Sequence, residues 1–298
     1  MGATAIIGLG AMGLGMARNI LAAGIPLRGF DLSGAARARF ATLGGEAAES
    51  AAEAARGASL LIVMVVNAAQ ARAAIFDSGA AEALAPGATI MVSSTIAPAE
   101  ARALGAEIAA AGHLMLDAPV SGGQVGAEAG ALTIMASGAA EAFDRAAPVL
   151  DAISKIVHRL GDDPGLGATY KVVHQLAAGV HLVAAAEVLA LGRAAGCDPA
   201  RLLDILLGAA GQSWMLGDRG PRMLQDDPDV TSTVDIFIKD LGLVLRAGED
   251  AGQPLPLSSE ALAMMRRAAD LGLGQADDSA VVRAYEALAR DSGKETEG

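Results

Sequence analysis

The chain has 298 residues, 53% of them hydrophobic, and 22 basic against 34 acidic side chains give a formal net charge of -12. That length buries a sizeable core in one large or two ordinary domains, while the acidic balance, reversed by no local basic cluster, argues against nucleic acid as a partner. No uninterrupted apolar run approaches the roughly 20 residues that cross a bilayer, the N-terminus lacks a basic signal-peptide start, and Cys197 stands alone, so the expectation is a cytoplasmic protein without membrane contact or internal disulfide.

In chain order, Ala5-Ile6-Ile7 reads as a strand, Gly8-Leu9-Gly10-Ala11-Met12-Gly13 as a turn, the run to Ala23 as a helix, and Leu27 to Phe30 as a second strand closing on Asp31. A G-x-G-x-x-G pattern is common by chance, but strand, glycine turn, helix, strand and acid in this order point to a dinucleotide site. Gly8 permits the tight turn, Gly10 lets the backbone approach a pyrophosphate, and Gly13 lets the helix pack closely on the sheet. The unpaired N-H groups at the helix start face the phosphates, where the macrodipole also favours negative charge. Asp31 is placed to accept hydrogen bonds from an adenine-ribose diol. No Arg or Lys occupies positions 32 to 36, the nearest being Arg28 and Arg37, so NAD is favoured over NADP.

After an alanine-rich helical stretch, Leu60 to Val66 is a wholly apolar run of the kind that forms a parallel strand buried on both faces. Asn67 follows at its carboxyl end, where open parallel sheets bind ligands. Ala88 to Val92 is the next strand, ending in Ser93-Ser94-Thr95, and Pro98 opens another helix. Leu114 to Asp117, Leu132 to Met135 and a weak Ile156-Val157 supply further strands. The first half, residues 1–162, therefore reads as a doubly wound α/β domain with a mostly parallel sheet.

From residue 163 to 298 the pattern is all-helical. A continuous helix runs from about Leu166 to Ala195 and joins the two halves; Gly196 ends it and Pro199 starts the next. Gly220-Pro221, Asp227-Pro228 and Pro254-Leu255-Pro256 punctuate further helices, and the polar end, Asp291 to Gly298, is expected to fray.

Only four basic residues are lysines, Lys155, Lys171, Lys239 and Lys294, and two of them, Lys171 and Lys239, sit among apolar neighbours. A desolvated lysine can shed its proton near neutrality and an arginine cannot, so both are candidates for acid/base work; a lysine snorkelling from a helix face gives the same pattern. Lys171, His174, Gln175 and Ala178 share one helix face at i, i+3, i+4 and i+7, a short polar stripe on a mostly apolar helix. His174 alone also reads as a hydrogen-bonded core histidine. No Cys/His/Asp cluster has metal-ligand spacing, so no metal is expected, and no G-x-S-x-G elbow supports a serine hydrolase. Asp117-Ala118-Pro119-Val120-Ser121-Gly122-Gly123 follows a strand, and its two glycines would expose consecutive N-H groups able to hold a carboxylate.

Four segments in order match one family. Gly8 to Ile20 resembles the G-L-G-x-M-G-x-x-M-A-x-N-[LI] signature of the β-hydroxyacid dehydrogenases, which include 3-hydroxyisobutyrate dehydrogenase and tartronate semialdehyde reductase; Asp117 to Gly123 resembles their D-A-P-V-S-G-G segment, Gly165 to Lys171 their G-x-G-x-x-x-K, and Lys239 to Leu243 their K-D-L-G-L. The resemblance implies an NAD-binding Rossmann domain and a helical domain, Lys171 as catalytic residue, Ser121, Gly122 and Gly123 at the substrate, and Lys239 beside the nicotinamide. It also implies that Met12, Val66, Asn67 and Thr95 contact the cofactor with the Gly8 to Gly13 turn, and that the protein is a homodimer or homotetramer. Many members carry asparagine four residues after the lysine; here it is Gln175, preceded by His174. Many have a leucine-proline pair where this chain has Val65 to Gln70. These variants, with Gln212-Ser213-Trp214-Met215, are similar to the L-threonate dehydrogenase branch, which implies oxidation of the C2 hydroxyl of a four-carbon sugar acid. His174 and Gln175 would then orient hydroxyls, and Trp214 would cap the pocket or sit in the core. No arginine pair is clearly placed for a phosphate. Some relatives that lack the lysine suggest a nucleotide-sensing role as the alternative of another class.

Overall fold

The computed structural model describes residues 2–295, with side chains through Arg290. The chain divides into two compact units, one up to Val172 and one from Val173 onward.

In the first unit, β1 (Ala3–Ile7), β2 (Leu27–Phe30), β3 (Glu46–Ala47), β4 (Ala58–Val63), β5 (Thr89–Val92) and β6 (Leu114–Asp117) form a sheet in the order β3-β2-β1-β4-β5-β6. Every pair is parallel. Strand alternation sorts the apolar side chains into two layers. Ile6, Leu60, Ile62, Met91 and Leu116 face one core, shared with α1 (Ala11–Ala22) and α2 (Gly34–Thr42). Ala5, Ile7, Leu61, Val63, Ile90, Val92 and Met115 face the other, shared with α3 (Ala51–Ala55), α4 (Ala68–Arg72), α5 (Ala80–Ala83) and α6 (Pro98–Ala110). Helices on both faces of a parallel sheet make the doubly wound arrangement, and its strand order reverses between β1 and β4, the switch point where such sheets bind ligands.

A second, three-stranded sheet differs from the expectation of a single one. Strands β7 (Val120–Ser121), β8 (Leu132–Ala136) and β9 (Ser154–Arg159) pair antiparallel and then parallel. Between them lie α7 (Gly123–Glu128) and α8 (Ala140–Ile153), which complete the first core layer. β3 and β7 are two residues each, too short to show any period in sequence.

Helix α9 (Leu166–Ala194) begins in the first unit and continues into the second. By length and composition it is long and apolar enough to cross a membrane, although His181 and Glu187 interrupt the run and half of its most apolar stretch is buried in the protein. Around its latter part pack α10 (Pro199–Leu207), α11 (Trp214–Met223), α12 (Val234–Asp250), α13 (Pro256–Ala268) and α14 (Val282–Glu295), with Leu182, Ala186, Leu189, Leu241 and Met265 at the centre. Gly220-Pro221 does not separate two helices: both lie inside α11. A Cβ on Gly220 would stand 2.6 Å from Leu203 Cδ1, so the glycine serves close packing, and before a proline it also removes the Cβ clash that normally disfavours helix. Helix α14 persists to Glu295, and the expected fraying beyond that lies outside the described residues.

Candidate active site

The turn after β1 is built around its glycines. Gly8 has φ +98°, and a Cβ there would lie 2.1 Å from the Met64 carbonyl oxygen; a Cβ on Gly13 would lie 2.0 Å from the Gly8 oxygen. Around Gly10 nothing stands within 4 Å of where a Cβ would be, the gap that a pyrophosphate approaching the backbone requires. Gly10 caps α1 without a side chain, and the first turn of α1 carries no acid. Its N-terminal N-H groups and the positive end of its dipole are thus directed at an incoming anion. Asp31 is drawn against this turn: Leu9 N-H donates to Oδ2 (2.7 Å) and Ser33 N-H to Oδ1 (2.8 Å). This donor set and cradle fit a dinucleotide.

One of the two nearest basic residues comes closer than its distance in sequence suggests. Arg37 folds back so that Nη1 donates to the Asp31 carbonyl (2.8 Å), its guanidinium stands 5.7 Å from the Phe30 ring centre, and Nη2 pairs with Glu49 at 3.4 Å. A cation does stand beside Asp31, partly offset by Glu49.

The carboxyl ends of β4 and β5 meet at Val65, whose N-H donates to Ser94 Oγ (3.1 Å). Val66 is exposed, its N-H on Gln70 Oε1 (3.0 Å), and Asn67 caps α4 by accepting from Gln70 N-H (2.9 Å). Thr95 follows at the end of β5, half-buried.

At the end of β6, Asp117 does what no sequence signal announced. Its Oδ2 accepts from Gly165 N-H (2.8 Å) and Ala168 N-H (2.9 Å), while Ser137 Oγ accepts from Gly167 N-H (3.0 Å). A buried carboxylate distant in sequence therefore caps α9, the helix that carries Lys171 one turn later, and a Cβ on Gly167 would lie 2.6 Å from the Asp117 backbone carbonyl oxygen. Lys171 is 5% exposed. The same β6 leads into Ser121 on β7, Gly122 (φ +129°) and Gly123 (φ +60°) at the start of α7.

Burial pushes the Asp117 carboxyl from 3.8 up to about 6, against the pull of the Ala168 and Gly165 N-H groups. Because the folded value lies above the unfolded one, the folded chain takes up this proton more readily, so this group adds stability as pH falls from about 6 toward 4 and loses it as pH rises again. Asp117→Asn keeps an acceptor but does not titrate, and urea unfolding over that range should show the slope reduced; parallel profiles for the two proteins would contradict the assignment. Asp117→Ala strands both N-H groups at a cost of about 2–4 kcal/mol.

In the second unit, a Cβ on Gly179 would stand 2.6 Å from Leu241 Cδ2, so α9 and α12 touch with only a hydrogen between them. One turn earlier, Gln175 Nε2 donates to Asp240 Oδ2 at 2.5 Å, and His174 Nδ1 lies 3.0 Å from Gln175 Oε1. Asp240 Oδ1 lies 2.8 Å from Lys239 Nζ, an ion pair rather than an aligned hydrogen bond. Asp240, 3% exposed, stood in the K-D-L-G-L segment but was not read as a site residue. Trp214 opens α11 and is 55% exposed, which removes its core reading. The paired arginines Arg219 and Arg222 are held by Asp218, Asp277 and Asp278, with Arg219 bidentate on Asp278 at 2.7 and 2.8 Å, so neither is offered to a phosphate.

A doubly wound sheet with a bare glycine turn at its switch point, followed by a helix with a buried lysine, defines an NAD-dependent dehydrogenase. Residues 3–161 match the NAD binding domain of 6-phosphogluconate dehydrogenase, and residues 165–285 match the NAD-binding domain of NADP-dependent 3-hydroxyisobutyrate dehydrogenase. The chain belongs to the 3-hydroxyisobutyrate dehydrogenase-like family of β-hydroxyacid dehydrogenases. It is 46% identical over 281 residues to an L-threonate dehydrogenase of Cupriavidus necator (94% of this chain, 95% of that one) and 45% identical over 285 residues to one of Escherichia coli (95% and 94%). A crystal structure described as 3-hydroxyisobutyrate dehydrogenase from Salmonella typhimurium superimposes with TM-score 0.90 at 46% identity, covering 94% of this chain and 99% of that one.

Proposed function

We propose that the chain oxidises the C2 hydroxyl of L-threonate to 2-oxo-tetronate, with Lys171 as general base. The observation that carries this reading is a lysine, 5% exposed, one turn into a helix capped by Asp117, with His174 and Gln175 at i+3 and i+4. The two relatives named for L-threonate support the substrate; 3-hydroxyisobutyrate, the substrate named for the Salmonella structure, is the second reading.

NAD, when bound, supplies the hydride acceptor. Lys171 in its neutral form takes the hydroxyl proton onto Nζ as the C2-H bond gives up its hydride, leaving a ketone, and returns the proton in the reverse direction. Ser121 and the Gly122 and Gly123 N-H groups hold the carboxylate, Gln175 and His174 orient hydroxyls, and Trp214 closes over them. Val66, Asn67, Thr95, Met12 and Lys239 complete the cofactor contacts. With L-threonate deuterated at C2, the label should appear in the reduced cofactor and turnover should slow; transfer from another carbon would contradict the reaction.

The preference for NAD over NADP rests on Asp31, which a 2'-phosphate would face, against the nearby Arg37. Asp31→Ala should weaken NAD binding and narrow the NAD/NADP ratio in dissociation constants, and an unchanged ratio would overturn the assignment. We also propose that residues 1–162 form the NAD-binding domain, which lends Ser121, Gly122 and Gly123 to the substrate, and residues 163–298 the helical substrate and dimerisation domain, which lends Lys239 to the cofactor. The exposed apolar Leu191 on α9 and Ile205 on α10 are suited to pairing in a homodimer or homotetramer; a monomer by light scattering would contradict this. The free thiol of Cys197 suits the cytoplasm.

A further inference from the structure

We propose that Asp117 is a positioning residue: with Ser137 it fixes the start of α9 on the strands that lead into the Ser121–Gly123 segment, and so sets the base against the substrate carboxylate. The inference rests on the proposed roles of Lys171 as base and of Ser121, Gly122 and Gly123 at the carboxylate, and it names what holds those groups in register.

A helix begins with N-H groups that have no partner within it. Around the start of α9 three N-H groups find theirs on the sheets: Gly165 and Ala168 donate to Asp117 Oδ2 at 2.8 and 2.9 Å, and Gly167 to Ser137 Oγ at 3.0 Å. The two acceptors are themselves joined, since Asp117 and Ser137 exchange both backbone hydrogen bonds at 2.9 Å, tying the end of β6 to the residue that follows β8. The backbones approach as closely as glycine allows, because a Cβ on Gly167 would lie 2.5 Å from the Met135 carbonyl oxygen. Both acceptor side chains are buried, so removing either leaves its N-H partners unsatisfied where water does not replace it.

From this joint the chain runs to both halves of the proposed chemistry. Lys171 follows Ala168 by three residues, within one turn, so a displaced first turn of α9 carries Lys171 with it. In the other direction Ser121 follows Asp117 by four residues, and those between are tied down: Ala118 N-H donates to the Val92 carbonyl (2.8 Å), the Pro119 carbonyl accepts from Met135 N-H (3.0 Å), and Val120 and Ser121 pair with Ile134 and Thr133. A short connection from the base to the carboxylate segment thus runs through the Asp117 side chain, whereas the covalent one takes in residues 122–170. Turnover is sensitive to that separation, since a misplacement of about 1 Å at the reacting atoms costs about 10²-fold.

The test is a double-mutant cycle on the full-length enzyme, with whichever of L-threonate, 3-hydroxyisobutyrate and D-glycerate the wild type oxidises fastest. Asp117→Ala should lower kcat by about ten- to a hundredfold, while the KM of the acid and the NAD dissociation constant change by less than about threefold. Asp117→Asn, which still offers one oxygen to both N-H groups, should recover most of the loss. In a Lys171→Ala background no base remains to be placed, and there Asp117→Ala should cost less than about threefold. Ser137→Ala removes one of the three bonds and should give the same pattern at smaller size, and its cycle decides if Asp117→Ala does not fold. Equal losses in both backgrounds, a loss in KM instead of kcat, an Asn variant as slow as the Ala one, or no loss at all overturns the proposal and leaves the proposed function standing. Near wild-type turnover in Lys171→Ala, or no oxidation of any of the three acids, overturns the proposed function and this proposal with it.

Discussion

Lys171→Ala is expected to lower kcat by about 10²-fold or more, the usual scale for losing a general acid/base. The NAD dissociation constant should change little. The two effects should separate because the turn after β1 that would hold the pyrophosphate is shaped by Gly8, Gly13 and Asp31. Lysine is needed for its ability to exchange a proton, so Lys171→Arg, which keeps the charge and roughly the reach, should be as inactive as the alanine variant. Steady-state NADH formation and calorimetric NAD titration on the same preparations measure both quantities. Near wild-type turnover in either variant would remove Lys171 from the mechanism.

The second large effect concerns the turn itself. In Gly13→Ala the new Cβ would sit 2.0 Å from the Gly8 carbonyl oxygen, a backbone atom that no rotamer change moves aside. Helix α1 must shift away from β1, at a cost of about 1–3 kcal/mol in stability. The N-H groups at its start move with it, so NAD affinity should fall by about ten- to a hundredfold, and both thermal unfolding and NAD titration should register the change. Gly10→Ala separates the two causes. Nothing in the protein lies within 4 Å of that Cβ, so the fold should be unaffected while NAD binding weakens. A Gly10→Ala variant that binds NAD like the wild type would mean that the gap is not where the pyrophosphate lies.

What could be read in advance follows from how local each signal is. β2 and β6 were legible to the residue because each is a four-residue segment that follows a turn and stops at an acid, Asp31 just after β2 and Asp117 closing β6. β4 was read as starting two residues late and ending three late: Met64 N-H still bonds to Ile7, but Val65 turns to Ser94 and leaves the ladder, a long-range choice that apolar character alone does not encode. The helix face bearing Lys171, His174 and Gln175 was visible because its period lies within eight residues. Asp117 and Asp240 were not, since their partners lie 48, 51 and 65 positions away and each sits in a segment that already had another explanation. Arg37 shows the same limit at short range: six positions from Asp31, its side chain returns to that residue's own carbonyl.

These residues describe one division of labour in the family. On the proposed reading the glycine turn would bind the oxidant through backbone groups, and α9, capped by Asp117, would carry the base and the polar pair that choose the alcohol. The most direct test is NADH formation by the wild-type enzyme with equal concentrations of L-threonate, D-threonate, 3-hydroxyisobutyrate, D-glycerate and 6-phosphogluconate. L-threonate is predicted to give the highest kcat/KM, with a signal that disappears in Lys171→Ala. Preference for 3-hydroxyisobutyrate would contradict the substrate, and silence across the panel despite tight NAD binding would contradict catalysis and point to nucleotide sensing.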